Sequence, residues 1–173
     1  VSANLQTSLA MNLTREDTYL NLLPLFHITG MNLALTIMQM GCCNVIMEKF
    51  DAKEALNLVS SEKITIMASF PPILTTLITE MENKDHNISN NGVDKKTDYI
   101  TGATKSLKHV VGIDSPDNID NFTKKTDCSF WVLYGQSETS GFVTLSKSSE
   151  VQGSAGQPCS LSRVTVMDDA GKQ

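Results

Sequence analysis

The alternation of short apolar runs with segments patterned for helices of about ten residues constrains the fold of this chain more than any other feature. Apolar strands are read over residues 17–25, 42–47, 64–68, 107–113 and 130–134. Helices are read over Ser2–Met11, Ile28–Met40 and Ala52–Ser61, from Pro71 and Pro72 to about Met81, and over 115–125. The punctuation agrees: Gly41 suits a helix C-cap, Asp51 an N-cap, and the two prolines a first helical turn, where a missing N–H costs nothing. Two further strands are read over 141–145 and 163–167. Residues 82–101 are rich in Asn, Asp and Lys and are read as an exposed loop. Strands alternating with helices imply an α/β fold, a mostly parallel sheet with helices on both faces. Such sheets bind ligands beyond the carboxyl ends of their strands. That rule selects three loops: 24–30, 112–116 and 134–140.

Composition narrows the function classes. The 173 residues are 40% apolar with a formal charge of −5 and no block of like charge. Phosphate backbones and anionic membranes are held by basic patches, so no nucleic-acid partner is expected. The most apolar run, 28–40, is too short to span a bilayer, and no transmembrane segment is read. Cys42, Cys43, Cys128 and Cys159 form no C-x-x-C pair and read as reduced thiols, which points to the cytoplasm.

The selected loops carry the chemistry. Tyr134-Gly135-Gln136-Ser137-Glu138-Thr139 follows an apolar strand. It offers an aromatic face for a base, a glycine that lets backbone approach a ligand, a hydroxyl for a phosphate oxygen, and a hard carboxylate for Mg²⁺. A second reading makes Ser137 and Glu138 the cap of a following helix. A hydrolase nucleophile elbow, G-x-S-x-G, fails at Thr139, and no histidine follows His109. His27, at a strand end, suits either a packed or a pocket-lining role, whereas His86 and His109 are too distant in sequence to share a metal. Asp114 suits an N-cap or a ligand acceptor.

These residues also resemble a family pattern. Pro24-Leu25-Phe26-His27-Ile28-Thr29-Gly30 resembles the P-x-F-H-x-x-G acyl-pocket motif of the adenylate-forming superfamily. Tyr134 to Thr139 resembles its Y-G-x-T-E signature, and Gly153-Ser154-Ala155-Gly156-Gln157-Pro158 its G-S-x-G-x-P. Arg163 to Gly171 resembles the strand and turn that follow. The form Tyr-Gly-Gln-Ser-Glu is most similar to fatty acyl-CoA synthetases. The resemblance implies an ATP-dependent acid–thiol ligase that activates a fatty acid or another carboxylate as acyl-AMP and passes it to CoA, with Mg²⁺ and ATP. By resemblance, Ser137 and Glu138 are catalytic, with Glu138 holding the metal. His27, Gly30 and Gln136 line the acyl site. Gly112, Ile113, Asp114, Tyr134, Gly135 and Ser137 bind the nucleotide. The family's Gly-Gly-Ala adenine loop is reduced here to Gly112-Ile113-Asp114, and Ser137 stands where Thr is usual.

The family's phosphate loop and its lysine-bearing C-terminal domain do not occur in 1–173. The chain is therefore read as an internal stretch of the large AMP-binding domain, inactive alone. Two alternatives are an amino-acid-activating domain, which usually carries Asp near the position of His27, and a non-catalytic nucleotide-binding or interaction module.

Overall fold

The computed structural model describes residues 2–89, 102–150 and 152–173. Its elements are α1 (Ser2–Met11), β1 (Thr18–Asn21), α2 (Ile28–Met40), β2 (Cys43–Ile46), α3 (Ala52–Ser61), β3 (Ile66–Ser69), α4 (Ile73–Ser89), β4 (His109–Gly112), α5 (Pro116–Thr126), β5 (Ser129–Gln136) and β6 (Gly141–Lys147). The six strands run in the order β2-β1-β3-β4-β5-β6. All neighbours are parallel except β5 and β6, which form an antiparallel pair. The expected α/β architecture is present.

Strand alternation sorts the core into two layers. Leu20, Met67, Val110 and Phe130 face one side, where Leu56, Leu74, Leu77 and Phe122 of α3, α4 and α5 cover them. Tyr19, Ile66, Val111 and Trp131 face the other, beneath Met11, Leu33 and Ile37 of α1 and α2. From β1 the chain crosses outward to β2 and then returns to the far side of β1 as β3. The gap between the carboxyl ends of β1 and β3 is thus the topological switch point, where open α/β sheets leave a crevice.

The amino ends of the strands are fastened by one carboxylate. Asp17 is 3% exposed. Its Oδ2 accepts from the Thr14 N–H at 2.8 Å and the Thr14 hydroxyl at 3.2 Å. Its Oδ1 accepts from the Thr65 hydroxyl at 2.9 Å and Lys108 Nζ at 3.0 Å. Thr65 precedes β3 and Lys108 precedes β4, so Asp17 ties the heads of three neighbouring strands. Beside this clasp the Trp131 indole N–H donates to His109 Nδ1 at 3.0 Å, and Lys147 Nζ lies 5.6 Å from the indole centroid.

Helix ends match the sequence reading where a local cap sets them. Gly41 closes α2 in the left-handed conformation, and the Asp51 side chain accepts from the Glu54 N–H at 2.8 Å. Strand ends move. β1 stops at Asn21, because the Asn21 side chain accepts from the Leu23 N–H at 3.2 Å and turns the chain out of the sheet. β5 runs on to Gln136, because β6 supplies partners as far as Gln136 opposite Gly141. Pro71 and Pro72 stand just before α4 rather than inside it; the Pro72 carbonyl accepts from Thr76 N–H at 3.0 Å.

Two expectations are corrected. The loop read from Glu82 is helical to Ser89, since polar residues can extend a helix without strain, and Lys125 pairs with Glu82 at 3.4 Å. Residues 90–101 of that expected loop lie outside the described residues. The strand read over 163–167 does not form. The neighbouring edge of β6 is taken instead by 157–159, through Leu145 N–H to Gln157 O at 2.8 Å and Cys159 N–H to Val143 O at 2.9 Å. Val166 is left 83% exposed.

Candidate functional site

The carboxyl ends of β1, β3, β4 and β5 open on one pole of the sheet, opposite the Asp17 clasp. At the switch point lies a cavity of about 320 Å³ lined by Leu23, Pro24, Phe26, His27 and Phe70. Its wall is apolar apart from His27. That side chain is exposed and is the N-cap of α2, its Nδ1 accepting from the Thr29 N–H at 3.2 Å. An Nδ1 used as acceptor leaves the neutral ring's proton on Nε2, so His27 keeps one N–H donor free. Gly30 is buried just behind it, where a Cβ would collide with the Pro24 carbonyl. Its lack of a side chain lets the first turn of α2 close onto the Pro24 segment.

A second cavity, of about 390 Å³, lies between the ends of β4 and β5 and the start of α5. Ile113, Asp114, Pro116, Tyr134 and the 152–155 segment line it. Tyr134 is half-exposed, which leaves a ring face open for stacking. Gly112 itself is buried at the end of β4, opposite Ser69. Asp114 does not cap α5. Ser115 does, accepting from the Asn118 N–H at 3.3 Å. One oxygen of Asp114 accepts from the Ser115 N–H at 2.8 Å and the Asn118 amide at 2.7 Å, which pins the loop against the helix.

The third loop is the β5–β6 connection. The pairing slips between Tyr134 and Gly135, where a side chain on Gly135 would run into the Gly141 carbonyl. Ser137–Thr139 then form one 3-10 turn, and Ser140 turns the chain back in the left-handed conformation at φ 59°. No α-helix follows, so Ser137 and Glu138 are not helix caps. The Thr139 hydroxyl holds the turn, accepting from the Gln136 N–H at 3.1 Å. Gln136, Ser137 and Glu138 are exposed at its tip. Among the described residues the side chains of Ser137 and Glu138 have no hydrogen-bond partner, and no three His, Cys, Asp or Glu side chains converge.

The fold therefore brings ten sequence-selected residues to one pole but divides them between two cavities and a loop tip. Sequence reasoning missed Phe70, although the carboxyl-end rule applied to β3 would have selected it. It also missed the lining role of Gln152 to Ala155, which are distant in sequence and reach the cavity only because 157–159 pair with β6. Among the described residues no helix is long and apolar enough to cross a membrane.

The chain is similar to known proteins in sequence and in fold. The 2-succinylbenzoate–CoA ligase of Enterococcus faecalis is 24% identical over 166 residues, 94% of this chain and 31% of that protein. The chloroplastic/peroxisomal 2-succinylbenzoate–CoA ligase of Arabidopsis thaliana is 35% identical over 80 residues, 46% of this chain and 14% of that protein. The chain thus spans a third or less of the length of these relatives. A crystal structure from Rhodopseudomonas palustris, assigned as a long-chain-fatty-acid CoA ligase, superposes with a TM-score of 0.81 at 32% identity, covering 99% of this chain and 39% of that one. The O-succinylbenzoate coenzyme A synthetase of Bacillus subtilis, solved with ATP and magnesium, shares the fold at a TM-score of 0.77 and 19% identity, over 99% of this chain and 33% of that one. The AMP-binding enzyme model matches residues 1–173 from end to end, and the chain belongs to that family.

Proposed function

We propose that these residues form the acyl- and adenylate-binding part of an ATP-dependent acyl-CoA synthetase acting on a fatty acid. The observation that carries this reading is the apolar crevice at the switch point, with one N–H donor, His27, at its mouth. An alkyl chain suits walls of Leu23, Phe26 and Phe70, and a carboxylate head suits the His27 Nε2–H. Among the described residues no lysine or arginine lines this crevice, which suits a substrate with one carboxylate and an alkyl chain.

In the proposed reaction a carboxylate oxygen attacks the α-phosphorus of ATP, the bond to the bridging oxygen breaks, and pyrophosphate leaves. The CoA thiol then displaces AMP from the acyl adenylate. His27 orients the carboxylate. Tyr134 stacks on the base, and the Ser137 hydroxyl donates to an α-phosphate oxygen. Glu138 fits Mg²⁺ because it is an exposed, unpaired oxygen ligand, and this ion is usually held by one or two carboxylates together with substrate phosphates. A metal bound there neutralises charge on the phosphates. The chain spans 31% of the E. faecalis ligase and 39% of the R. palustris protein, so the proposed reaction is assigned to the full-length protein.

Two variants test this. In the full-length protein Glu138→Gln is expected to slow fatty-acid-dependent pyrophosphate release about 100-fold, the scale of losing one transition-state contact. It should also raise the Mg²⁺ requirement and leave the melting temperature unchanged, because the carboxylate holds nothing in the fold. Wild-type rates at low Mg²⁺ would refute the metal assignment. His27→Ala removes both a crevice donor and the α2 cap, so it should cost about 1 kcal/mol of stability as well as acyl selectivity. His27→Asn keeps a capping side chain and should lose only selectivity. If both retain the parent's preference across carboxylates, the acyl site lies elsewhere.

A further inference from the structure

Ser137 and Glu138 stand exposed at the tip of a three-residue turn, so the backbone of that turn sets where they point. The root of the turn is anchored from the helix layer. Gln6 Nε2 of α1 donates to the Phe142 carbonyl at 2.7 Å. Gly141 packs on the Asn32 amide of α2, which a Cβ there would meet. α2 also carries His27 as its N-cap, so one helix holds both the root of the turn and the donor at the crevice. The tip is braced differently. The Thr139 hydroxyl accepts from the Gln136 N–H at 3.1 Å and donates to the carbonyl of Gln136 at 2.9 Å or of Gly141 at 3.0 Å. Gln136 is the last residue of β5 and Gly141 the first of β6. The hydroxyl therefore bridges the two strand ends and closes the turn into a ring. A backbone bond runs beside it, from the Ser140 N–H to the Ser137 carbonyl at 3.0 Å. A β-branched side chain suits this place, because it is stiff about its first torsion. Thr139 is itself exposed and belongs to neither core layer.

We propose that Thr139 is a positioning residue, whose hydroxyl holds the turn in the form that aims the Ser137 hydroxyl and the Glu138 carboxylate at the phosphates. The inference rests on the roles given above to Ser137 and Glu138. Gln6 and Asn32 anchor the root without Thr139, so loss of the hydroxyl should loosen the tip and leave the fold intact.

The test uses the full-length protein. Thr139→Val keeps the branched shape and removes the hydroxyl, whereas Thr139→Ser keeps the hydroxyl. Amide hydrogen exchange reads the turn without substrate or metal. The Gln136 and Ser140 N–H groups should exchange about tenfold faster in Thr139→Val and near the parent rate in Thr139→Ser, with β4 unchanged in both. Fatty-acid-dependent pyrophosphate release should fall about 30-fold in Thr139→Val, because a small misplacement of a reacting group has a cost of this size. The Mg²⁺ requirement should rise while KM for the fatty acid and the melting temperature stay at the parent values. Thr139→Ser should restore the rate. In a Glu138→Gln background Thr139→Val should cost less than about threefold, because the group it positions is already altered. Parent-like exchange at Gln136 and Ser140, equal losses in both backgrounds, or a Thr139→Ser protein as slow as Thr139→Val each overturn the proposal. So does a lowered melting temperature with the Mg²⁺ requirement unmoved, which marks a structural role. If Glu138→Gln slows release and Thr139→Val does not, the metal reading stands and this inference alone fails. If Glu138→Gln is itself without effect, both fail.

Discussion

Gly112→Ala is expected to abolish the cooperative unfolding transition of this chain. Gly112 ends β4 opposite Ser69 of β3, and the Ile113 N–H donates to the Ser69 carbonyl at 3.2 Å. A Cβ on Gly112 would overlap that carbonyl, and its next neighbours are also Ser69 backbone atoms. A flexible side chain could rotate away, but the backbone of a central strand can yield only by parting β3 from β4. Met67, Val110 and Val111, each at most 1% exposed, would separate with it. Overlaps of this kind belong to the rare class costing more than about 4 kcal/mol, against a total stability of about 5–15 kcal/mol for a typical domain. Gly153→Ala is the comparison. It meets no atom within 4 Å and bears only the cost of a left-handed φ of 74°, about 1 kcal/mol. Thermal unfolding followed by circular dichroism separates the two. A Gly112→Ala protein melting within a few degrees of the parent would show that the strands have room there.

The second large effect is expected at Asp17. Asp17→Ala should destabilise the chain by about 3 kcal/mol, because it strips bonds to a charged acceptor from Thr14, Thr65 and Lys108 and leaves Thr65 buried. Lys108→Ala should cost less, because Lys108 is half in solvent. The pH dependence gives a sharper test. Burial alone would raise the Asp17 pKa, but the bonds from Thr14, Lys108 and Thr65 and the nearby Lys108 charge outweigh it and hold the carboxyl below its ordinary value. A carboxyl with a lower pKa folded than unfolded stabilises the fold above the unfolded value. That contribution fades as pH falls through the folded value. Unfolding free energy should therefore drop steeply below about pH 4, and Asp17→Asn should flatten that drop. Parallel acid profiles for parent and variant would mean that another carboxylate governs acid unfolding.

What was legible in the sequence divides along physical lines. α2 and α3 are found to the residue, because Gly41 and Asp51 fix their ends through contacts within one turn. The segment 163–167 alternates like a strand and yet forms no strand, because strand formation needs a free edge and, among the described residues, 157–159 occupy the nearest one. The three loops were legible because strand polarity alone sends them to one pole. Their division into two cavities was not, because it depends on the order β2-β1-β3-β4-β5-β6, which no local signal encodes. That α1 buries Gln6, Thr7 and Ser8 beside Met11 was hidden for a related reason. Periodicity shows that a helix has two faces but does not label which one meets the sheet.

Trp131 is the only tryptophan, and its place at the clasp pole makes the chain's intrinsic emission a local gauge. It sits near the head of β5, about 16 Å along the strand from Gln136. Its indole shares a proton with a neutral imidazole whose pKa burial pushes down. Ligands entering the crevice should therefore leave the emission spectrum almost unmoved. Acid should quench it only below the usual imidazole range, once His109 takes a second proton and can no longer accept from the indole. A nucleotide titration that is silent by tryptophan fluorescence is thus the expected behaviour of a working site in this fold. Occupancy is better read from a reporter placed near Tyr134.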